Sequence, residues 1–188
     1  MKIIATPTKD TVNAGFAFDL AEAIRWTPDA IFCIAQGAIL PNLRNMLAKK
    51  ALETKATHII FIDSDMRFAP DTIHKLVKRN KDIIASNCKK RTQDEWTARK
   101  DGKPVSSEFK KGIEEVDTIG MGVTCIKTSV FEKMAEPYFS TPWDTQEKKH
   151  VGEDVFFCHM AREAGFKIFI DHEVSGKVKH AGLVEFGI

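Results

Sequence analysis

Residues 59–62, Ile-Ile-Phe-Ile, show no alternation of apolar and polar side chains. A strand with one wet face reads apolar-polar. This one requires cover on both faces, the situation of a central strand in a parallel sheet packed front and back by helices. The run from Thr57 to Ile62 then breaks into Asp63-Ser64-Asp65, and Pro70-Asp71 follows, suited to opening a helix. The chain around it supplies matching pieces. Short β-rich runs fall at Lys2–Thr6, Ala30–Ala35 and Asp82–Ser86. Between them, Thr11–Trp26 carries an apolar stripe of Phe16, Leu20, Ala23 and Ile24. Leu43, Leu47 and Ala51, with Met46, mark the buried side of a helix from Pro41 to about Thr54, and a further helix runs from Asp71 to about Asn80. The order β-α-β-α-β-α-β predicts an α/β fold with a mostly parallel central sheet and helices on both faces. In such sheets ligands gather at the carboxyl ends of the strands. Asp63 and Asp65 stand at one such end, and Thr6, Pro7 and Thr8 at another.

The second half reads differently. Residues 88–112 are polar and basic without sustained periodicity, as a mobile loop or a small hairpin would be. Val116–Ile126 is strand-like and carries Gly120 and Gly122. Thr128–Ala135 reads as a short helix, Pro137–Thr145 as an irregular aromatic loop, Val151–Ala164 as a helix stopped by Gly165, and Lys167–Ile170 as a strand. At 188 residues the chain suits a single domain 1–188, in which 1–87 form one half, 113–188 the other, and 88–112 a basic connection.

Composition removes some classes. No apolar run approaches the roughly 20 residues that span a bilayer, and MKIIATPTKD reads as a first strand rather than a leader, so a cytoplasmic protein is expected. Cys33, Cys88, Cys125 and Cys158 lack metal-ligand spacing and read as reduced core residues. The net charge is only +2, yet Lys75–Lys111 holds 12 Lys and Arg against 5 Asp and Glu, a local +7. That is either a solvated face or a surface for an anionic partner.

Two carboxylates one residue apart at a buried strand end repel each other unless a cation or donors satisfy them. Carboxylate oxygens suit Mg²⁺ or Mn²⁺, although Asp-x-Asp by itself is also an ordinary polar strand end. Glu153 and Asp154 open a helix; one acid serves as a cap, and the second is a candidate general base. His180 in KVKHAG is a surface or core residue, or an imidazole that completes a mixed metal shell. Gly120-Met121-Gly122 is a bulge, or a close backbone approach to a ligand.

Taken in order, IATPT, LPNLRNMLAKKAL, HIIFIDSDMRFAPDTIHKL, IASNCKKR, VDTIGMGVTCIKTSVFEKMAEPYF, GEDVFFCHMAREAGFKIFID and KHAG resemble the nucleotide-sugar glycosyltransferases of the GT-A (Rossmann-like) fold, family 2-like members and small viral ones in particular. The resemblance implies a metal-dependent, inverting transfer of a sugar from a nucleoside-diphosphate sugar, UDP being the commonest nucleotide, to an acceptor hydroxyl. It further implies that Asp63 and Asp65, with Ser64 between them and His180 from the tail, hold Mn²⁺ or Mg²⁺ against the diphosphate. Thr6, Pro7, Thr8 and Arg44 would hold the nucleotide. Asp154 would be the base and Glu153 would shape the acceptor side, together with Trp143 and the Gly120–Gly122 segment. The acceptor is a glycan or a hydroxylated DNA base; Lys89, Lys90 and Arg91 would meet the phosphates of the latter. A viral origin would place the enzyme in the host cytoplasm.

Three rivals remain. A haloacid-dehalogenase-type phosphatase also uses Asp-x-Asp, but wants Thr or Val where this chain has Arg67. A sugar nucleotidyltransferase shares sheet and metal, yet ATPTKDTVNAG is a poor match to its glycine-rich loop. A catalytically silent nucleotide-sugar-binding module would not need both acid pairs.

Overall fold

The computed structural model describes residues 1–90 and 95–181. In chain order the elements are β1 (Lys2–Thr8), α1 (Ala14–Arg25), β2 (Ala30–Gln36), α2 (Leu40–Glu53), β3 (His58–Ile62), β4 (Met66–Arg67), α3 (Thr72–Lys78), β5 (Ile83–Ala85), β6 (Arg99–Lys100), β7 (Lys103–Pro104), β8 (Ile113–Val116), β9 (Val123–Lys127), α4 (Thr128–Lys133), β10 (Trp143–Asp144), β11 (Lys149–His150), α5 (Glu153–Glu163), β12 (Ile168–Asp171), α6 (His172–Ser175) and β13 (Lys179–His180). Among the described residues a seven-stranded sheet has the order β2-β1-β3-β9-β5-β12-β8. Strands β2, β1, β3, β5 and β12 run one way, and β9 and β8 run against them. The sheet is therefore mixed and mainly parallel.

Strand side chains alternate between two cores. Ile3, Ala5, Ile59, Phe61, Ile83 and Ile168 face α2, α4 and α5 through Leu43, Leu47, Phe131 and Phe157. Ile4, Ile60, Ile62, Ile84 and Cys125 face α1, α3 and α6 through Phe16, Leu20, Ile73, Leu76 and Val174. Both faces are covered, as the unbroken apolar run of β3 demands. Local signals set the helix ends. The Asn13 side chain accepts from the Gly15 and Phe16 N–H groups to start α1, and Pro41 lies in the first turn of α2.

Some expectations need correcting. Val116–Ile126 is not one strand. It divides into the end of β8, on the sheet edge, and β9, inserted between β3 and β5. As a result β3 has a parallel neighbour on one side only. The basic connection contains the hairpin β6–β7 and is fastened to the sheet rather than loose: Ala98 and Val105 are buried in the core. Of the aromatic loop, Tyr138 and Phe139 are core residues, with Phe139 stacked on Phe157 at 4.9 Å, while Trp143 opens the hairpin β10–β11. Cys88, Cys125 and Cys158 are buried free thiols; Cys33, on edge strand β2, is partly exposed. Among the described residues no helix is long and apolar enough to cross a membrane.

Candidate active site at the carboxyl edge of the sheet

The five co-directional strands end on one edge, and α2 and α5 begin there. At the end of β3 the chain turns through Asp63, Ser64 and Asp65 into β4, and the turn is closed by Met66 N–H donating to Asp63 O at 3.0 Å. This answers why an apolar strand ends on two acids: short polar side chains suit a tight turn, and the turn sets both carboxylates on one rim. The Asp63 N–H donates to Gly122 O at 2.9 Å, so the start of β9 braces the turn from beside.

A cavity of about 420 Å³ opens against this rim, walled by Pro7, Thr8, Lys9, Asp63, Ser64 and Asp65. Its far side is formed by Gly37, Ala38, Leu40 and Leu43. The volume matches a small-ligand site. Sequence reasoning missed Lys9 and the Gly37–Leu40 wall. They directly follow the ends of β1 and β2, so the strand-end rule would have found them. Thr6 is buried below the cavity with its Oγ1 unpartnered among the described residues, and does not line it. Thr8 donates its hydroxyl to Thr11 O.

Behind the rim lies Arg44, only 1% exposed. Its Nη2 donates to Asp63 Oδ1 at 2.8 Å, and its Nε stands 3.4 Å from Glu153 Oε1, in ion-pair range without hydrogen-bond geometry. Nε and Nη1 have no hydrogen-bond partner among the described residues, while the guanidinium carbon sits 5.5 Å from the Phe61 ring centroid. Arg44 was expected to hold a nucleotide. It lies outside the cavity wall and instead joins two carboxylates from different elements.

Glu153 and Asp154 form the first turn of α5. Neither caps the helix through its side chain; the cap residue is Gly152, and Asp154 Oδ1 accepts the adjacent Val155 N–H at 2.8 Å. A Cβ on Gly152 would lie 2.6 Å from that oxygen, so glycine leaves room for the Asp154 carboxylate. Burial pushes both acids above their ordinary values, against the pull of Arg44, and nearby Asp63 adds to the rise. Protons are therefore held more tightly here than on a surface acid, which is the direction that favours a proton-accepting role.

His180 does not join the acids. Its backbone is next to them: β13 pairs with β4, His180 opposite Met66, and Ala181 N–H donates to Asp65 O at 2.7 Å. The ring, however, is bonded through Nδ1 to Lys89 O at 2.9 Å. Among the described residues no group of three or more His, Cys, Asp or Glu side chains is gathered closely enough to hold a metal ion. The expected set of Asp63, Asp65 and His180 is therefore not assembled. Asp63 and Asp65 do share one cavity wall, and two carboxylates in one turn are a hard oxygen donor pair that fits Mg²⁺ or Mn²⁺.

The proposed acceptor-side residues are dispersed. Met121 is 2% exposed and belongs to the core. Gly120 and Gly122 approach the chain's own side chains: a Cβ on either would stand 3.1 Å from Thr97 or Met66 respectively. Their glycines thus serve internal packing. Trp143 is 55% exposed and stacks edge-on with His150 in the β10–β11 hairpin. Lys89 and Lys90 line a different cavity, and Arg91 lies outside the described residues.

Comparisons with known proteins agree with this architecture. A profile of the Anp1 family matches residues 36–110, a span that contains Arg44, Asp63 and Asp65 and stops short of Asp154 and His180. A197 from STIV has a TM-score of 0.68 at 16% identity, covering 100% of this chain and 97% of that one. UDP-glucose pyrophosphorylase complexed with UDP-glucose has a TM-score of 0.52 at 9% identity, covering 96% and 91%. The fold is similar to that of a nucleotide-sugar enzyme. At these identities the likeness is one of fold. No curated protein sequence matches the chain.

Proposed function

We propose that this chain is a GT-A-type, family 2-like glycosyltransferase that moves a sugar from a nucleoside-diphosphate sugar, with UDP as the nucleotide, to an acceptor hydroxyl. The observation that carries the reading is the pairing of two acid centres through one buried arginine: Asp63 on the cavity rim and Glu153, beside Asp154, at the head of α5. A donor site needs the first and a base the second. Two comparisons support it. Anp1 is a mannosyltransferase family with a GT-A-like fold, and the UDP-glucose pyrophosphorylase neighbour binds a nucleotide sugar on a similar sheet.

Pro7, Thr8, Leu40 and Leu43 offer the nucleotide a wall of mixed polarity, and Lys9 on the same wall would supply a cation to its phosphates. Asp63 and Asp65 would hold the Mn²⁺ or Mg²⁺, which when bound supplies positive charge to the departing diphosphate. Arg44 keeps Asp63 and Glu153 in place. Asp154 takes the proton of the acceptor hydroxyl as its oxygen bonds the anomeric carbon. The bond from that carbon to the diphosphate breaks, and its electron pair leaves with the phosphate. A single displacement of this kind inverts the anomeric centre.

Calorimetry with UDP-sugars, with and without Mn²⁺, tests the reading. Asp65→Ala is expected to lose metal-dependent donor binding. Asp154→Asn is expected to bind donor as before and to lose about 10²–10⁴-fold in transfer rate. Unchanged donor affinity in Asp65→Ala with Mn²⁺ present would overturn the donor site; equal loss of binding and transfer in Asp154→Asn would overturn the base.

A further inference from the structure

The two edges of the seven-stranded sheet are unlike. At one edge β8 carries Glu114 and Glu115, ion-paired with Lys110 and Lys167. Charged side chains of this kind keep an edge from pairing with a further strand. At the other edge β2 has no such guard. Residues 30–40, AIFCIAQGAIL, hold no charged side chain and no proline. Ile31, Phe32 and Ile34 are 37% to 53% exposed, and among the described residues no strand pairs with the outer side of β2. Helix α2 extends this apolar strip. Its Asn45 side chain donates to Phe139 O, and Phe139 packs on Phe61 of β3, so that flank of α2 faces the middle of the sheet. Met46 and Ile39, both 60% exposed, lie across the buried stripe on the opposite flank, the one toward β2.

The backbone of β2 is laid out for self-pairing. Lys2 N–H donates to Asp29 O and Gly37 N–H to Thr8 O, both at 3.0 Å. In a parallel ladder alternate residues turn both backbone groups toward the neighbour. Ile31, Cys33 and Ala35 therefore direct theirs to β1, while Phe32 and Ile34 direct theirs outward. These two stand symmetrically about Cys33. Laid antiparallel on a second copy, Phe32 exchanges two hydrogen bonds with the partner's Ile34, and Ile34 does the same with the partner's Phe32. Cys33 then falls opposite the partner's Cys33 in a non-hydrogen-bonded pair, with Cα atoms about 4.5 Å apart. By the rise per residue in helix and strand, Met46 stands about level with Cys33, so the apolar strips of the two copies meet as well.

We propose that a second copy of this chain docks on β2, the two strands pairing antiparallel about Cys33 so that the two sheets become one. A two-fold interface must be self-complementary. An uncharged stretch whose outward backbone groups are centred on one residue meets that demand. Residues of this size expose about 150–200 Å² when free, so Ile31, Phe32, Ile34, Ile39 and Met46 bring about 400 Å² from each copy. The strand backbones and Gln36 add to that apolar area and carry the pair to the about 1,000 Å² that a specific interface clears. In the joined sheet the carboxyl ends of the two sets of strands point opposite ways, so the two acid-rimmed cavities open on opposite edges and neither is covered. The docking surface does not rest on the transferase reading.

The experiment uses the full chain under reducing conditions, its mass followed by sedimentation equilibrium from about 1 to 100 µM, where even a weak specific interface is populated. A two-chain mass is expected in the upper part of that range. Ile34→Lys sets a charge beside the two-fold axis, and Ile34→Pro removes an outward N–H that β1 does not use. Each should raise the dissociation constant at least tenfold while circular dichroism stays native. Phe109→Lys, at a side chain 98% exposed on the connection between β7 and β8, should leave the mass unchanged. Diamide should link the native dimer through Cys33, taking up the two thiol hydrogens as the S–S bond forms, because Cys88, Cys125 and Cys158 are buried. Cys33→Ser should dimerise without linking. A single-chain mass at about 100 µM would overturn the proposal, and so would a dimer indifferent to both Ile34 variants. A monomer whose Phe32 and Ile34 amides resist exchange would also overturn it, by showing the edge covered from within the chain. A dimer that the Ile34 variants break but diamide does not link would overturn the Cys33 register. Donor binding should be the same in Ile34→Lys as in the native chain, so loss of the dimer and loss of the donor site are read separately.

Discussion

Arg44 gives up nearly all of its hydration to stand between Asp63 and Glu153, and two of its nitrogens recover no hydrogen bond among the described residues. A buried guanidinium stabilises a fold only where its partners are well placed. Here it does something else as well: it fixes the distance between an acid on β3's turn and an acid on α5. Asp154, next along, is then raised by burial and by Asp63. The consequence for stability has a definite sign. A carboxyl whose folded value lies above its ordinary 3.8 binds its proton more tightly folded than unfolded. Folding gains from it on the acid side and loses that gain as pH rises from about 4 through the raised value. Asn at this position does not titrate. Between pH 4 and pH 7 the melting temperature of Asp154→Asn should therefore rise relative to the native chain, by up to a few degrees, while transfer collapses. Other acids, such as Asp71 and Glu114, whose values are lowered, cancel in that difference. A constant difference across the range would show that Asp154 is solvated like a surface acid.

At the scale of elements, the connection between β5 and β8 looks like a loop in composition but is held like a strand. Asn87, fully buried, is the reason. Its amide donates to Val105 O at 2.7 Å and Ser107 Oγ at 3.0 Å, and its carbonyl accepts from Ala98 N–H at 3.0 Å and Thr97 Oγ1 at 3.3 Å. Asn87→Ala strips these partners at once, and each group left buried and unpaired costs about 1–3 kcal/mol. Amide exchange at Ala98 should accelerate at least tenfold and proteolysis should begin within 97–107. Unchanged exchange would mean that the β6–β7 hairpin is held by its own pairing. None of this could be read from NCKK, because the partners lie 10 to 20 residues away. What was legible in the sequence was local: the two-faced apolarity of β3, the acid turn after it, the stripe of α2, the acids heading α5. What was not legible was relative placement. Nothing near Val123 says that β9 enters between β3 and β5. Nothing in KVKHAG says that its imidazole meets a carbonyl 91 residues earlier. Arg44 lies on the buried stripe of α2 by spacing, three residues before Leu47 and seven before Ala51, but nothing around it in the sequence says that Asp63 and Glu153 arrive beside it.

Across the whole molecule, the sheet separates two cores that bear unequally on the site. The core facing α2, α4 and α5 carries the arginine helix and the acid helix, and its centre is the contact of Phe131, Phe139 and Phe157. Phe157 lies one turn beyond Glu153, so its packing sets where the head of α5 rests. The opposite core contains Leu76, late in α3 and toward the amino ends of the strands, away from the acid turn. Truncating either side chain removes a fully buried apolar group, at a cost of about 3–5 kcal/mol for Phe→Ala and about 2–5 kcal/mol for Leu→Ala. Stability alone would therefore not tell the two variants apart. Function should. At a temperature where both remain folded by circular dichroism, Leu76→Ala is expected to keep transfer within about twofold of the native chain. Phe157→Ala is expected to lose tenfold or more, because a shift of about 1 Å in reacting groups is enough to cost two orders of magnitude, with donor affinity at Asp63 and Asp65 reduced far less. Equal losses of transfer in the two variants would mean that the acids of α5 follow global stability and are not positioned by the core beneath them.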